Sequence, residues 1–121
     1  MDTKCALIFG ATGGIGSSLC RAFKKRGIKL LLISRNRQKL NGLRDELDIH
    51  PSCTFEAETL TSQEELEKAS EWLRRSEQKI DFAIHAAGLG IIKNATNISI
   101  DEWKNTIDLN VTSSFTFFQL T

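Results

Sequence analysis

The stretch that decides the fold is Gly10-Ala-Thr-Gly13-Gly14-Ile-Gly16. It follows the continuous apolar run from Cys5 to Phe9, which predicts a strand buried on both faces in a parallel sheet. Apolar residues then recur at helical spacing, which predicts a helix from Gly14 to about Arg26. The predicted inward stripe of this helix consists of Ile15, Leu19, Ala22 and Phe23. The unit is therefore strand, glycine turn, helix.

A glycine turn in this position is typical of a phosphate-binding site. Glycines permit the tight turn and let backbone N–H groups approach a pyrophosphate, and the helix N-terminus favours its negative charge. The predicted contacts are Gly10, Thr12, Gly13, Gly14, Ile15 and Gly16. The spacing fits both G-x-x-x-G-x-G and G-x-x-G-x-x-G, and the turn alone does not choose between them. A turn that serves only packing is the alternative.

Strands and helices are predicted to alternate along the rest of the chain. Further strands are predicted at residues 29–34, 53–57 and 80–85, the third with the alternating polarity of a sheet edge. Two Ser-x-x-Glu capping boxes, at Ser62 and Ser99, predict the starts of later helices. The last helix should present Trp103, Ile107, Val111, Ser114 and Phe118 on one face. Regular alternation predicts one α/β unit over residues 1–121, a parallel sheet with helices on both faces.

Charge and composition exclude several classes of protein. Sixteen Lys and Arg residues against fifteen Asp and Glu residues leave a formal charge of +1, so no overall field attracts nucleic acid or an anionic membrane. The apolar runs Cys5 to Phe9 and Leu30 to Ile33 are far too short to span a membrane. Three cysteines match no zinc spacing and predict reduced thiols. We therefore predict a cytoplasmic protein with no metal site.

The residues after the second predicted strand indicate the cofactor. In a dinucleotide fold an acid about 20 residues beyond the glycine turn binds the ribose 2′-OH. Ser34, Arg35 and Asn36 stand there instead, with Arg35 nineteen residues after Gly16. A guanidinium suits a 2′-phosphate, which a carboxylate would repel. We predict that these three residues bind NADP(H); the alternative is a solvated basic patch that includes Arg37 and Lys39.

Together these features resemble the short-chain dehydrogenase/reductase family. The resemblance implies a Rossmann-type doubly wound sheet with strand order 3-2-1-4, and the two glycine spacings are those of the family's compact and extended branches. The segment His85-Ala86-Ala87-Gly88 stands where the family commonly has Asn-Asn-Ala-Gly beside the adenosine side of the cofactor. Thr59, followed by Leu60, stands where the family usually has an Asp near the adenine. These six residues are further predicted cofactor contacts.

The catalytic set of the family is represented by one residue. Asn110 resembles the family's helix Asn, which is associated with a water-linked proton relay to the catalytic lysine; a polar residue with no such role is the alternative. The family's proton donor is the Tyr of a Tyr-x-x-x-Lys motif, and this sequence contains no tyrosine. The resemblance therefore implies the N-terminal part of a truncated domain. We expect the chain alone to be inactive.

The predicted function is hydride transfer between NADP(H) and an alcohol or carbonyl substrate in the full-length protein. A non-catalytic nucleotide-binding or dimerisation module is the first alternative, and an unrelated doubly wound fold is the second. The run from Phe115 to Leu120 carries more apolar surface than one exposed helix should show. In the family the corresponding helix packs in a subunit interface, so we predict homo-oligomers formed through the last helix.

Overall fold

The computed structural model describes residues 3–121 and contains four strands and five α-helices among them. The strands are β1 (Cys5–Phe9), β2 (Lys29–Ser34), β3 (Thr54–Glu56) and β4 (Phe82–His85). The helices are α1 (Gly14–Lys25), α2 (Arg37–Glu46), α3 (Gln63–Ser76), α4 (Ile100–Ile107) and α5 (Ser113–Gln119). A π-helical turn, Asp108–Thr112, joins α4 to α5, and short 3₁₀ turns occupy Pro51–Cys53 and Ala95–Asn97. Every helix in residues 3–121 is too short or too polar to cross a membrane.

The four strands form one parallel sheet in the order β3-β2-β1-β4, as predicted. β1 lies between β2 and β4, with Phe9 beside Ile33 on one side and beside His85 on the other. β1 and β2 have their predicted bounds. β3 and β4 are shorter than the predicted 53–57 and 80–85: Cys53 belongs to the preceding 3₁₀ turn, and Ala57 and Asp81 lie just outside the strands, although their N–H groups still donate to the Ser34 and Cys5 carbonyls.

Each face of the sheet is covered by its own core cluster. On one face Cys5, Leu7 and Phe9 pack with Leu109 and Phe117 from the C-terminal helices. On the other face Ala6 and Ile8 pack with residues of α1 and α2, namely Cys20, Leu40 and Leu43. Alternate residues of β1 thus face opposite layers, which is why the whole run Cys5–Phe9 is apolar.

The predicted inward stripe of α1 is partly wrong. Ile15 is 75% exposed and Ala22 is also exposed, whereas Gly16 and Cys20 are the buried residues. Gly16 has no side chain, so the backbone of α1 lies close to the turn. The side of α1 that faces the core is therefore centred on residues 16 and 20. Leu19 and Phe23 flank that line and are half-buried.

The last predicted helix is divided into α4, a π-turn and α5. Trp103, Val111 and Phe118 were predicted to share one apolar face, and all three are exposed. The buried residues are Leu109, Ser113, Thr116 and Phe117. The Asn110 side chain donates to the Thr106 carbonyl at 3.0 Å, and a side chain that enters the helical ladder in this way widens it into a π-turn. The wider turn rotates α5 relative to α4.

Candidate functional site

A cleft of about 230 Å³ opens at the carboxyl ends of the strands. The glycine turn, the end of β2 and the segment after β4 form its walls, and Phe9 and Leu109 contribute apolar surface. Ligands of open α/β sheets bind at this end, where neighbouring connections run to opposite faces. The lining residues predicted from sequence are Gly10, Thr12, Gly13, Ser34, Arg35, Asn36, Ala86, Ala87 and Gly88.

Gly10 and Gly16 are glycines for a steric reason. Gly10 has φ +84°, and a Cβ there would lie 2.7 Å from the carbonyl carbon of Ala86 and from Cα of Ala87. A Cβ on Gly16 would overlap the carbonyl oxygen of Gly10 and lie 2.9 Å from its carbonyl carbon. The turn is therefore packed backbone against backbone, both across to the segment after β4 and along to α1.

Gly13 and Gly14 have open space around them, unlike the two outer glycines. A Cβ on Gly14 would meet no atom within 4 Å, and one on Gly13 would meet the Gly10 carbonyl oxygen at an ordinary 3.5 Å. Gly13 is the N-cap of α1, without a side-chain capping bond, and the first turn carries no acidic residue. The first N–H groups of a helix have no partner within the helix, so this end can receive an anion. The steric data do not choose between the two glycine spacings.

A hydroxyl pair ties the glycine turn to the end of β2. The Thr12 and Ser34 hydroxyl oxygens are 2.7 Å apart, and Ser34 is buried. The Asn36 backbone N–H donates to the Ser34 hydroxyl at 3.3 Å, and the Asn36 side chain caps α2 by accepting from the Lys39 N–H at 3.0 Å. These bonds hold the chain that carries Arg35 in a defined position at the rim of the cleft.

The three cations at the start of α2 have different surroundings. Arg37 pairs with Glu56 of β3 at 2.6 Å and is absent from the lining of the cleft. Arg35 and Lys39 both line the cleft, and neither takes part in an ion pair within residues 3–121. The basic patch is therefore divided: one guanidinium is neutralised and two cations face the cleft.

His85 is a packed structural residue in this chain. Its ring lies edge-on to Phe9 and Phe117, with ring centroids 5.2 and 5.8 Å away. The Ser113 hydroxyl donates to the Leu109 carbonyl, so His85 Nε2–H donates to the Ser113 oxygen at 2.7 Å. Burial lowers the pKa of His85. The imidazole is neutral near pH 7 and does not line the cleft.

Asn110 connects the π-turn to the segment after β4. Its Oδ1 accepts from the Leu89 N–H at 3.1 Å, and its Nδ2 donates to the Leu89 carbonyl at 2.7 Å. A Cβ on Gly88 would lie 3.2 Å from the same Oδ1. Asn110 therefore positions the main chain of residues 88 and 89 at the mouth of the cleft.

Thr59 and Leu60 do not reach the cleft, whereas their neighbour Glu58 lines it. The Leu60 side chain is fully buried in the core, and the Thr59 hydroxyl pairs with that of Thr61 at 2.7 Å. Glu65 accepts from the Glu58 and Leu60 N–H groups at 2.6 and 3.1 Å, which fixes this orientation. Glu58 was not among the residues predicted from sequence, and its place just after the predicted strand 53–57 was the available signal. Ile15, Gly14 and Gly16 also lie outside the lining.

A larger cavity of about 510 Å³ lies at the opposite, amino end of the sheet. Its polar side chains largely satisfy one another: His50 Nδ1 lies 2.7 Å from the Ser52 hydroxyl, and Trp72 donates to the Ser52 carbonyl at 2.8 Å. The smaller cleft combines a glycine turn, a helix N-terminus and two cations without ion-pair partners in residues 3–121. The smaller cleft is therefore the candidate site.

The order of the parallel sheet and the glycine turn between β1 and α1 define a Rossmann-type fold. Residues 4–121 match the family model of the short chain dehydrogenases, and the chain belongs to that family. An uncharacterized oxidoreductase of Staphylococcus aureus strain USA300 is 28% identical over 111 residues, which are 92% of this chain and 48% of that protein. A similar protein of Staphylococcus epidermidis is 25% identical over 118 residues, 98% of this chain and 50% of its own length.

Solved structures give the same result. A short chain dehydrogenase from Salmonella enterica serovar Typhi superposes with a TM-score of 0.82 at 25% identity, covering 98% of this chain and 51% of that one. A bulky-bulky ketone specific alcohol dehydrogenase from Comamonas testosteroni gives 0.81 at 25% identity, covering 99% and 48%. The chain thus spans about half the length of the relatives it matches.

Proposed function

We propose that this chain is the NADP(H)-binding portion of an oxidoreductase whose full-length form interconverts an alcohol and a carbonyl compound. Membership of the short chain dehydrogenase family supports the reaction class. The observation that carries the choice of cofactor is the pair of cations, Arg35 and Lys39, that face the cleft where NAD-binding folds place an acid.

The residues of the cleft suit a dinucleotide. Gly10 and Gly16 let the turn pack backbone against backbone, and the uncapped start of α1 offers N–H groups to the pyrophosphate. Arg35 lies at the end of β2, where the adenosine ribose is bound in such folds. When bound, the nicotinamide cofactor supplies or accepts the hydride. The task of these residues is to hold the cofactor's diphosphate and ribose phosphate.

We place proton transfer outside these 121 residues. The sequence contains no tyrosine, so the family's proton donor has no counterpart here, and Asn110 is proposed as a positioning residue for that step. The bonds from Asn110 to Leu89 suit such a role because they fix the main chain beside the cleft. The lack of tyrosine also favours the second candidate, a non-catalytic nucleotide-binding module.

Titration calorimetry with NADPH and NADH tests the choice of cofactor. We expect the unmodified chain to bind NADPH more tightly than NADH. Arg35→Asp should reverse the preference, because a carboxylate repels a 2′-phosphate and accepts from a 2′-OH. Arg37→Asp makes the same charge change on a residue outside the cleft and is the matched control.

An unchanged ratio of the two affinities in Arg35→Asp would refute the assignment to NADP(H). A reversal seen equally in Arg37→Asp would show that net charge matters rather than position. The oxidoreductase and the non-catalytic module are separated by the full-length protein: NADPH-dependent reduction of a ketone supports the first, and cofactor binding without turnover supports the second.

We also propose self-association through the outer face of α4 and α5. Ile100, Trp103, Val111, Phe115 and Phe118 are all exposed there, Phe115 by 67%. Five exposed apolar side chains on consecutive helical segments suit an interaction site. Light scattering should show oligomers that Phe115→Glu dissociates, while Ile92→Glu, an equally apolar but separate exposed site, should leave them intact.

The cytoplasm remains our proposed location, in keeping with three free cysteines.

A further inference from the structure

Lys39 stands at the boundary between two clefts. It lines the cleft described above and also a second one between α1 and α2, whose other walls include Ser17, Arg21 and Glu46. Thr12 is the other residue common to both linings. Lys39 therefore lies where the two clefts meet, together with Thr12 of the glycine turn.

The neighbouring cations are held by acids, and Lys39 is not. Arg21 Nε and Nη2 donate to both carboxylate oxygens of Glu46, at 2.7 and 3.1 Å. Arg37 pairs with Glu56. Residues two apart on a helix point in different directions, so Arg37 reaches β3 while Lys39 points to the other side of α2. Within residues 3–121, Lys39 forms no ion pair.

We propose that Lys39 is a second specificity-determining cation, which contacts the 2′-phosphate of NADP(H) opposite Arg35. This inference rests on the proposed function. The backbone N–H of Lys39 already donates to the Asn36 side chain, so the contribution comes from the ammonium group. A phosphate between Arg35 and Lys39 would contact two cations, both near the start of α2, whereas the carboxylate that lines the cleft, Glu58, comes from the segment after β3.

The same calorimetric titrations test the role of Lys39, with NADPH and NADH as probes. Lys39→Ala should weaken NADPH about tenfold, as expected for one charge-assisted contact at an exposed site, and leave NADH nearly unchanged. Lys39→Arg should restore most of the affinity for NADPH. Arg37→Ala, which removes a charge from the same helix turn, should change neither affinity.

The outcomes separate this inference from the proposed function. Loss of NADPH affinity alone in Lys39→Ala supports a 2′-phosphate contact, and higher salt should reduce the difference from the unmodified chain. Equal weakening of NADPH and NADH would place Lys39 at the pyrophosphate and overturn the inference, as would no effect at all. If Arg35→Asp reverses the preference while Lys39→Ala does nothing, only the inference fails. Failure of the unmodified chain to bind either dinucleotide overturns both.

Discussion

Replacing Gly16 with alanine should destabilise the fold even though alanine favours helices. The new Cβ would overlap the Gly10 carbonyl oxygen and lie 2.9 Å from the carbonyl carbon. Both partners are backbone, and the Gly10 N–H is itself bonded to Ile33 at 2.9 Å, so no side-chain rotation relieves the contact. Overpacking costs about 1–3 kcal/mol, and the helix gains about 1 kcal/mol from alanine. Because both contacts are with backbone, we take the cost near the upper end, about 3 kcal/mol, and expect a net loss of about 2 kcal/mol.

Gly42→Ala is the control for this prediction. Gly42 lies within α2, and a Cβ there would meet no atom within 4 Å, so alanine should stabilise by about 0.5–1 kcal/mol. Urea unfolding followed by circular dichroism measures both variants, and at a slope of roughly 2 kcal/mol per molar urea the Gly16→Ala midpoint should fall by about 1 M. A Gly16→Ala midpoint equal to that of the unmodified chain would refute the backbone contact.

Three further predictions concern residues around the site and in the core. Burial lowers the pKa of His85, so the unfolded state binds a proton more readily than the folded state. The contribution of His85 to the free energy of unfolding is therefore present above the unfolded pKa near 6.5 and is lost as the pH falls below it. His85→Asn should reduce this pH dependence, measured by urea unfolding at pH 5 and 7. Asn110→Ala should cost about 1 kcal/mol and speed exchange of the Leu89 amide hydrogen, measured by hydrogen exchange; unchanged exchange would contradict the bonding pattern. A thiol reagent at pH 8 should label Cys53 alone, since burial raises the pKa of Cys5 to about 11 and of Cys20 to about 12; Cys53→Ser should then show no labelling by mass spectrometry.

The central strands and the glycine turn were predictable because local pattern and burial agree there. Every residue of Cys5–Phe9 is buried, as expected for an unbroken apolar run that forms a strand covered on both faces of the sheet. The order of the sheet came from the family resemblance and was confirmed. The outer glycines were also predictable, because two backbones that approach this closely leave no room for a Cβ.

Side-chain direction near the site was less predictable. Periodicity assumes an ideal helix, and the π-turn at Asp108–Thr112 breaks it, so the sequence pattern did not predict that Ser113, Thr116 and Phe117 are the buried residues of α5. Leu60 has φ +62°, and this backbone conformation turns its side chain into the core and leaves Glu58 at the cleft. Hydrophobic periodicity signals neither feature, because both depend on hydrogen bonds from polar side chains, Asn110 in the π-turn and Glu65 beside Leu60.

The position of β1 at the centre of the sheet has a consequence for synthesis of the chain. Its first neighbour, β2, follows after a single helix, whereas the bond from the Cys5 N–H to Asp81 spans 76 residues. At ribosomal rates of about 5–20 residues per second, the edge that β4 will cover stays open for several seconds after β2 has emerged. A nascent chain of this kind exposes an apolar strand edge during that interval, and a chaperone that binds this edge would be most useful then.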